Sequence, residues 1–182
     1  MSRAAGPKAH SPAARSAEGS SAGRLLVSAA HKSSGKTTVT LGLCAALAAQ
    51  GTRVQPFKKG PDYIDPMWLA RAAGRPCYNL DAYLMDDGAL ERCFTGAMHG
   101  AELALVEGNK GLYDGLALDG SNSNAALARR LSLPVLLVID ARGMTRGIAP
   151  LILGYQAFDR DIRIGGVILN RLGGSRHEAK LR

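Results

Sequence analysis

From Arg24 onward, apolar residues alternate between short unbroken runs and longer stretches in which they recur every three or four positions. Unbroken runs of four to six suit strands buried on both faces, and the longer spacing suits helices with one covered side. On this pattern Leu25 to Ala29 is a strand and Lys36 to Gln50 a helix, with Val39, Leu43, Ala46 and Leu47 on one face and Gly51 as its stop. Arg53 to Phe57 is the next strand. Met67 to Ala73 and Asp87 to Met98 are helices, the second capped by Asp86 or Asp87. The runs Leu103 to Glu107, Val135 to Asp140 and Ile164 to Asn170 are strands, separated by helices at Asn124 to Leu131 and Gly147 to Phe158. Strands alternating with helices predict an α/β fold: a parallel sheet with right-handed crossovers and helices on both faces.

Composition agrees with a core of Leu, Val, Ile and Ala, since 46% of the 182 residues are hydrophobic but only 5% aromatic. That length suits one domain. The net charge of +8 changes meaning once it is located: residues 1–24 carry +3, residues 171–182 another +3, and only +2 remains for the body of the chain. No footprint for nucleic acid is therefore expected. Cys44, Cys77 and Cys93 are odd in number and lack CxxC spacing, which favours neither disulfides nor zinc and points to a reducing cytoplasm. No run of about 18 apolar residues predicts a membrane span. Residues 1–23, rich in Ser, Ala, Gly and Pro, read as a disordered leader, residues 24–171 as the folded domain, and residues 172–182 as a basic tail. The chain stops just after a strand, where a doubly wound fold would continue, so a domain cut from something longer is expected.

Between the first strand and first helix lies SAAHKSSGKTTVT, Ser28 to Thr40. Gly35, Lys36 and Thr37 fill the last positions of the phosphate-binding pattern GxxxxGK[ST], while Ala30 stands where the first glycine belongs. In such loops backbone N–H groups and the helix N-terminus cradle phosphates, the lysine reaches the β and γ phosphates, and the hydroxyl serves Mg²⁺. The strand–loop–helix setting supports a P-loop. His31 and Lys32 read as solvated loop residues.

A divalent cation beside phosphates needs carboxylates. Glu107 ends a buried strand and so faces the crevice where open α/β sheets bind ligands, though an acid there also caps loops. KKGPDYID packs Lys58, Lys59, Asp62 and Asp65 into one turn at the same edge; composition alone favours a solvated charged loop. EGNKGLYDG adds Asp114 after glycines that permit close backbone approach.

SSGKTTVTLGL, FKKGPDYIDP, VEGNKGLYDG, PVLLVIDARGMTRG and GGVILNR occur in order between Arg24 and Arg171. Together they resemble the N-terminal synthetase domain of cobyrinic acid a,c-diamide synthases, glutamine-dependent amidotransferases of corrin biosynthesis. Asn109-Lys110 leans toward the related siroheme amidases. The resemblance implies a dethiobiotin-synthetase-like, P-loop NTPase-like fold and ATP- and Mg²⁺-dependent amidation of tetrapyrrole carboxylates, on cobyrinic acid or a siroheme-like substrate. It implies that Ser34, Gly35, Lys36, Thr37 and Thr38 bind phosphates, that Thr37, Asp62 and Glu107 hold Mg²⁺, and that Lys58 faces the transferring phosphate. Asp65 and Asp114 would orient substrate or ammonia, with Asp62 beside them, and Asn170 would recognise adenine; a strand-end turn is an equal reading of Asn170 from sequence. The glutaminase half that supplies ammonia in this family has no counterpart pattern here. Other expectations are a partition-type switch ATPase, which would dimerise on ATP, or another dethiobiotin-synthetase-like ligase.

Overall fold

The computed structural model describes residues 22–182, so all but the end of the leader expected over residues 1–23 lies outside the described residues. Six strands form one sheet, β1 (Gly23–Ala29), β2 (Val54–Lys59), β3 (Tyr78–Leu80), β4 (Leu103–Glu107), β5 (Val135–Asp140) and β6 (Ile164–Asn170), in the order β3-β2-β4-β1-β5-β6. Every pairing is parallel. The helices are α1 (Lys36–Ala49), α2 (Ile64–Ala73), α3 (Asp87–Ala97), α4 (Asn124–Arg130), α5 (Ile148–Phe158) and α6 (Ser175–Leu181).

Alternation along each strand sorts the core into two layers. Leu26, Phe57, Val106 and Leu137 pack on one face with Leu90 and Phe94 of α3, Leu127 of α4 and Ile148 of α5. Their neighbours Val27, Leu105 and Val138 pack on the other with Cys44 of α1 and Leu69 of α2. Helices thus cover both faces, as the apolar runs predict, and the buried Cys44 is a core residue whose thiol burial pushes up to about 12.

Two elements are additions to the sequence reading. β3 has three residues, too few for a periodic signal, and pairs β2 only over Phe57 to Lys59. That shortness leaves Pro56 without a β3 partner on its ring side, which is how a proline fits a strand otherwise inside the sheet. The segment 172–182, expected as a tail, contains α6, because His177 anchors it: Nδ1 accepts from Gly173 N at 3.0 Å and Nε2 meets Met144 O at 2.6 Å. Leu181 also packs against the core.

β1 lies between β4 and β5, while the chain leaving it crosses to β2 on the far side of β4. The C-terminal ends of β1, β2 and β4 therefore open onto one crevice, the place where such sheets bind ligands.

Candidate functional site

The loop from Ala30 to Gly35 joins β1 to α1, and two of its residues take left-handed backbone, Ser33 (φ 63°) and Gly35 (φ 96°). Ala30 is not among the positive-φ residues, so the position has no conformational need for the expected glycine. Gly35 is required twice over: its φ is left-handed, and a Cβ there would run into the Asn170 carboxamide. Ser34 is buried and its Oγ donates to His31 O at 2.8 Å, tightening the loop. His31 and Lys32 are exposed, as expected of solvated loop residues. Lys36 is buried at the helix start, and desolvation lowers its pKa against the opposing pull of Glu107. Thr37 turns toward β4, and Thr38 faces solvent.

The acids at the crevice are joined through Lys58. Its Nζ lies 2.6 Å from Asp65 Oδ2, 3.1 Å from Glu107 Oε1 and 3.8 Å from Asp62 Oδ2. Thr37 Oγ1 donates to Glu107 Oε1 at 2.6 Å and reaches Asp65 Oδ2 at 3.4 Å. Burial depresses the Lys58 ammonium, but Glu107 and Asp65 more than offset that, and its pKa lies above the ordinary value. Glu107 is fully buried; burial raises its pKa, with Lys58 and Thr37 opposing. Its second oxygen, Oε2, has no hydrogen-bond partner. A buried carboxylate oxygen without a donor is costly and is the atom a cation would satisfy. Thr37, Glu107 and Asp65 are hard oxygen donors of the kind Mg²⁺ takes. Among the described residues no group of three or more His, Cys, Asp or Glu side chains could hold a metal ion by itself.

Asp62 stands at one remove. Its Oδ1 accepts from Ile64 N at 2.8 Å and Asp65 N at 3.2 Å, capping α2, so Asp65 rather than Asp62 is the second acid nearest Thr37. Asp114 is exposed and outside the Lys58 network; its Oδ2 accepts from Gly111 N at 3.0 Å at the mouth of a cleft that also includes Lys59 and Asn109. Asn170 is brought to the phosphate loop, where its Nδ2 donates to Ser34 O at 2.9 Å and its Oδ1 accepts from Arg171 N at 2.9 Å.

Several residues hold these loops in place without having announced themselves in the sequence. Asn124, fully buried at the start of α4, donates to Gly111 O at 2.8 Å, to Ser28 Oγ at 3.1 Å and to Asn109 O, while Asn109 N donates to it at 3.1 Å. Asn79 of β3 donates to Gly60 O and Asp62 O, each at 2.6 Å, fixing the turn after β2. Tyr155 of α5 donates to Ala30 O at 2.5 Å. No local signal marked them, because their partners lie far away in the chain.

Comparison with known proteins places the chain in a family and a fold. A family profile described as "CobQ/CobB/MinD/ParA nucleotide binding domain" matches residues 26–182. The chain is 51% identical over 159 residues to a cobyrinate a,c-diamide synthase of Magnetococcus marinus, covering 87% of this chain and 34% of that protein. It is 48% identical over 165 residues to a hydrogenobyrinate a,c-diamide synthase of Streptomyces coelicolor, covering 90% of this chain and 34% of that protein. The chain thus spans about a third of the length of the curated relatives it matches. Among solved structures, chloroplast FtsY from Physcomitrella patens superposes with a TM-score of 0.56 at 19% identity, over 84% of this chain and 50% of that one. The signal recognition particle 54 kDa protein of Aeropyrum pernix gives 0.56 at 22% identity, over 85% of this chain and 36% of that one; such distant likeness speaks for the P-loop fold alone. The five motifs anticipated the diamide-synthase relatives, and profile and fold agree: the chain belongs to the CobQ/CobB/MinD/ParA nucleotide-binding domain family.

Proposed function

We propose that this domain binds ATP with Mg²⁺ and activates a peripheral carboxylate of a tetrapyrrole for amidation. The observation that carries the reading is Lys58 within reach of Glu107 and Asp65 beside Thr37 of the phosphate loop. Lysines, a hydroxyl and acids around a phosphate loop suit phosphoryl transfer, which is chiefly positioning and charge neutralisation. A flat, partly apolar ligand is supported by exposed Tyr63, Ile64, Tyr83 and Leu116, which border the clefts next to the network.

In this reading the backbone of Ser34 and Gly35, with Lys36 and Thr38, holds the phosphates. Thr37 and Glu107 would hold Mg²⁺, with Asp65 adjacent and Asp62 behind it. The cation, when bound, would neutralise phosphate charge and orient the γ-phosphoryl group. A substrate carboxylate oxygen attacks the γ-phosphorus as the bond to ADP breaks, giving an acyl phosphate. Lys58 neutralises the charge on the moving group. Ammonia then attacks the acyl carbon, inorganic phosphate leaves, and the excess proton passes to a nearby acid, for which Asp114 at the cleft mouth is the proposed acceptor. Asn170 serves adenine by exchanging Ser34 O for the base. Glutamine as the ammonia source, through a glutaminase domain, a cytoplasmic location and a homodimer complete the proposal.

The test supplies the protein with ATP, Mg²⁺, ammonium chloride and either cobyrinic acid or siroheme, and follows acid-to-amide conversion by mass spectrometry, with hydroxylamine as a trap for the acyl phosphate. Hydroxamate and amide are the expected products, and the substrate that yields them identifies the tetrapyrrole. ATP-driven dimerisation without either product would replace this reading with a switch ATPase.

A further inference from the structure

Lys59 is the last residue of β2 and is 8% exposed, yet its charge is not paired as that of Lys58 is. Its one hydrogen bond runs from Nζ to the neutral Asn109 Oδ1 at 3.2 Å, and among the described residues no carboxylate comes within 4.0 Å of it. Asp81 supplies attraction from a distance, but one of its oxygens is committed to Tyr83 N at 2.9 Å, and Lys110 opposes it. Burial lowers the Lys59 pKa, as befits a charge that the fold leaves uncompensated. An ammonium held so far from water without an anion costs stability, and such groups persist where their charge is used.

The position says what would use it. Successive strand residues point to opposite sides. Lys58 turns to the α1 side and the phosphate loop, and Lys59 to the other side of the same edge. Lys59 and Asn109 lie where two clefts meet, one bounded by Asp81, Tyr83 and Leu116, the other by Asp62, Tyr63 and Ile64. Both clefts combine the buried Lys59 with exposed apolar side chains, Tyr83 and Leu116 in one and Tyr63 and Ile64 in the other, and the first also has the exposed Lys110 and Asp114.

We infer that Lys59 and Asn109 form a second anion site, which grips a carboxylate of the substrate other than the one being phosphorylated and so selects which arm of a polycarboxylate reaches Lys58. The inference rests on the tetrapyrrole reading above. Lys59 donates its remaining N–H groups to the held carboxylate, and the Asn109 side-chain amide beside it adds a further donor. The substrate class is therefore a macrocycle with at least two free carboxylates, one gripped and one reacting.

The probes are cobyrinic acid and its heptamethyl ester, titrated calorimetrically into the protein and into Lys59→Met. The wild type is expected to prefer the acid. Lys59→Met should lose on the order of tenfold in affinity for the acid, the worth of one charge-assisted hydrogen bond, while ester and ATP affinities stay unchanged. The same variant should melt at a higher temperature, because an unpaired buried charge has been removed. An unchanged affinity for the acid, an equal loss for the ester, or a lower melting temperature would each overturn the second site and leave the tetrapyrrole reading standing. Binding of neither probe by the wild type would overturn both. Asn109→Leu reads the same clamp should Lys59→Met fail to fold, and its unchanged affinity for the acid would likewise overturn it.

Discussion

Glu107 shows how a side chain that is expensive for the fold can sit at the centre of a proposed site. It is fully buried, shares Oε1 with Thr37 and Lys58, and leaves Oε2 without a donor. Lys36, by contrast, is buried at the first position of a helix and is the proposed phosphate ligand. The two should therefore fail differently. Lys36→Ala is expected to abolish ATP binding with or without Mg²⁺. Glu107→Gln keeps the shape of the carboxylate and one acceptor oxygen for Thr37 and Lys58 but loses the charge and the second acceptor, so it should retain weak metal-free ATP binding and lose its enhancement by Mg²⁺. Calorimetric titration with ATP in Mg²⁺ and in EDTA distinguishes them. A Lys36→Ala variant that binds ATP normally would remove the phosphate-loop assignment. Both residues were visible in the sequence because each ends or begins a periodic element. Ala30 looked like a departure from the pattern there, and only its backbone shows why alanine suffices.

At the level of elements, the sheet delivers the loops but the long-range amides set their shape. Strand bounds followed from apolar runs, which is why β4, β5 and β6 coincide with the predicted segments. β3 and α6 escaped because three residues carry no period and a polar seven-residue helix has no apolar stripe. The pins escaped for another reason: Asn124 and Ser28 are 96 residues apart, and Tyr155 and Ala30 are 125 apart. Nothing local marks such pairs. The loop that Asn124 holds also presses close to the phosphate loop, since a Cβ on Gly111 would lie 2.8 Å from Ala30 O. Asn124→Ala would leave Asn109 N and O without their partner, and Gly111 O with only the longer bond from Asp114 N at 3.3 Å. The expected cost is about 3 kcal/mol, at roughly 1–3 kcal/mol for each stranded group. Denaturant unfolding should show it as a lower midpoint at unchanged m-value. ATP affinity should fall as well, because the Gly111 loop would no longer brace Ala30.

Across the whole molecule, stability and ligand occupancy are linked through the crevice between β1, β2 and β4. The site gathers three acids around one lysine and leaves Oε2 of one of them, Glu107, without a donor, so part of the stabilisation of the two apolar layers is offset at the sheet edge. A ligand that satisfies those groups binds the folded state alone and must raise the melting temperature by mass action. At Mg·ATP a hundredfold above its dissociation constant the gain is about 2.7 kcal/mol. For a domain of this size that corresponds to a rise of roughly 5–10 °C, at about 2–4 °C per kcal/mol. The shift should shrink in EDTA and vanish in Lys36→Ala. A shift of the same size with and without Mg²⁺ would mean that Glu107 and Thr37 hold each other for structural reasons and leave the nucleotide to the loop backbone. A shift that depends on Mg²⁺ makes the buried carboxylate the link between the folded core and the bound nucleotide.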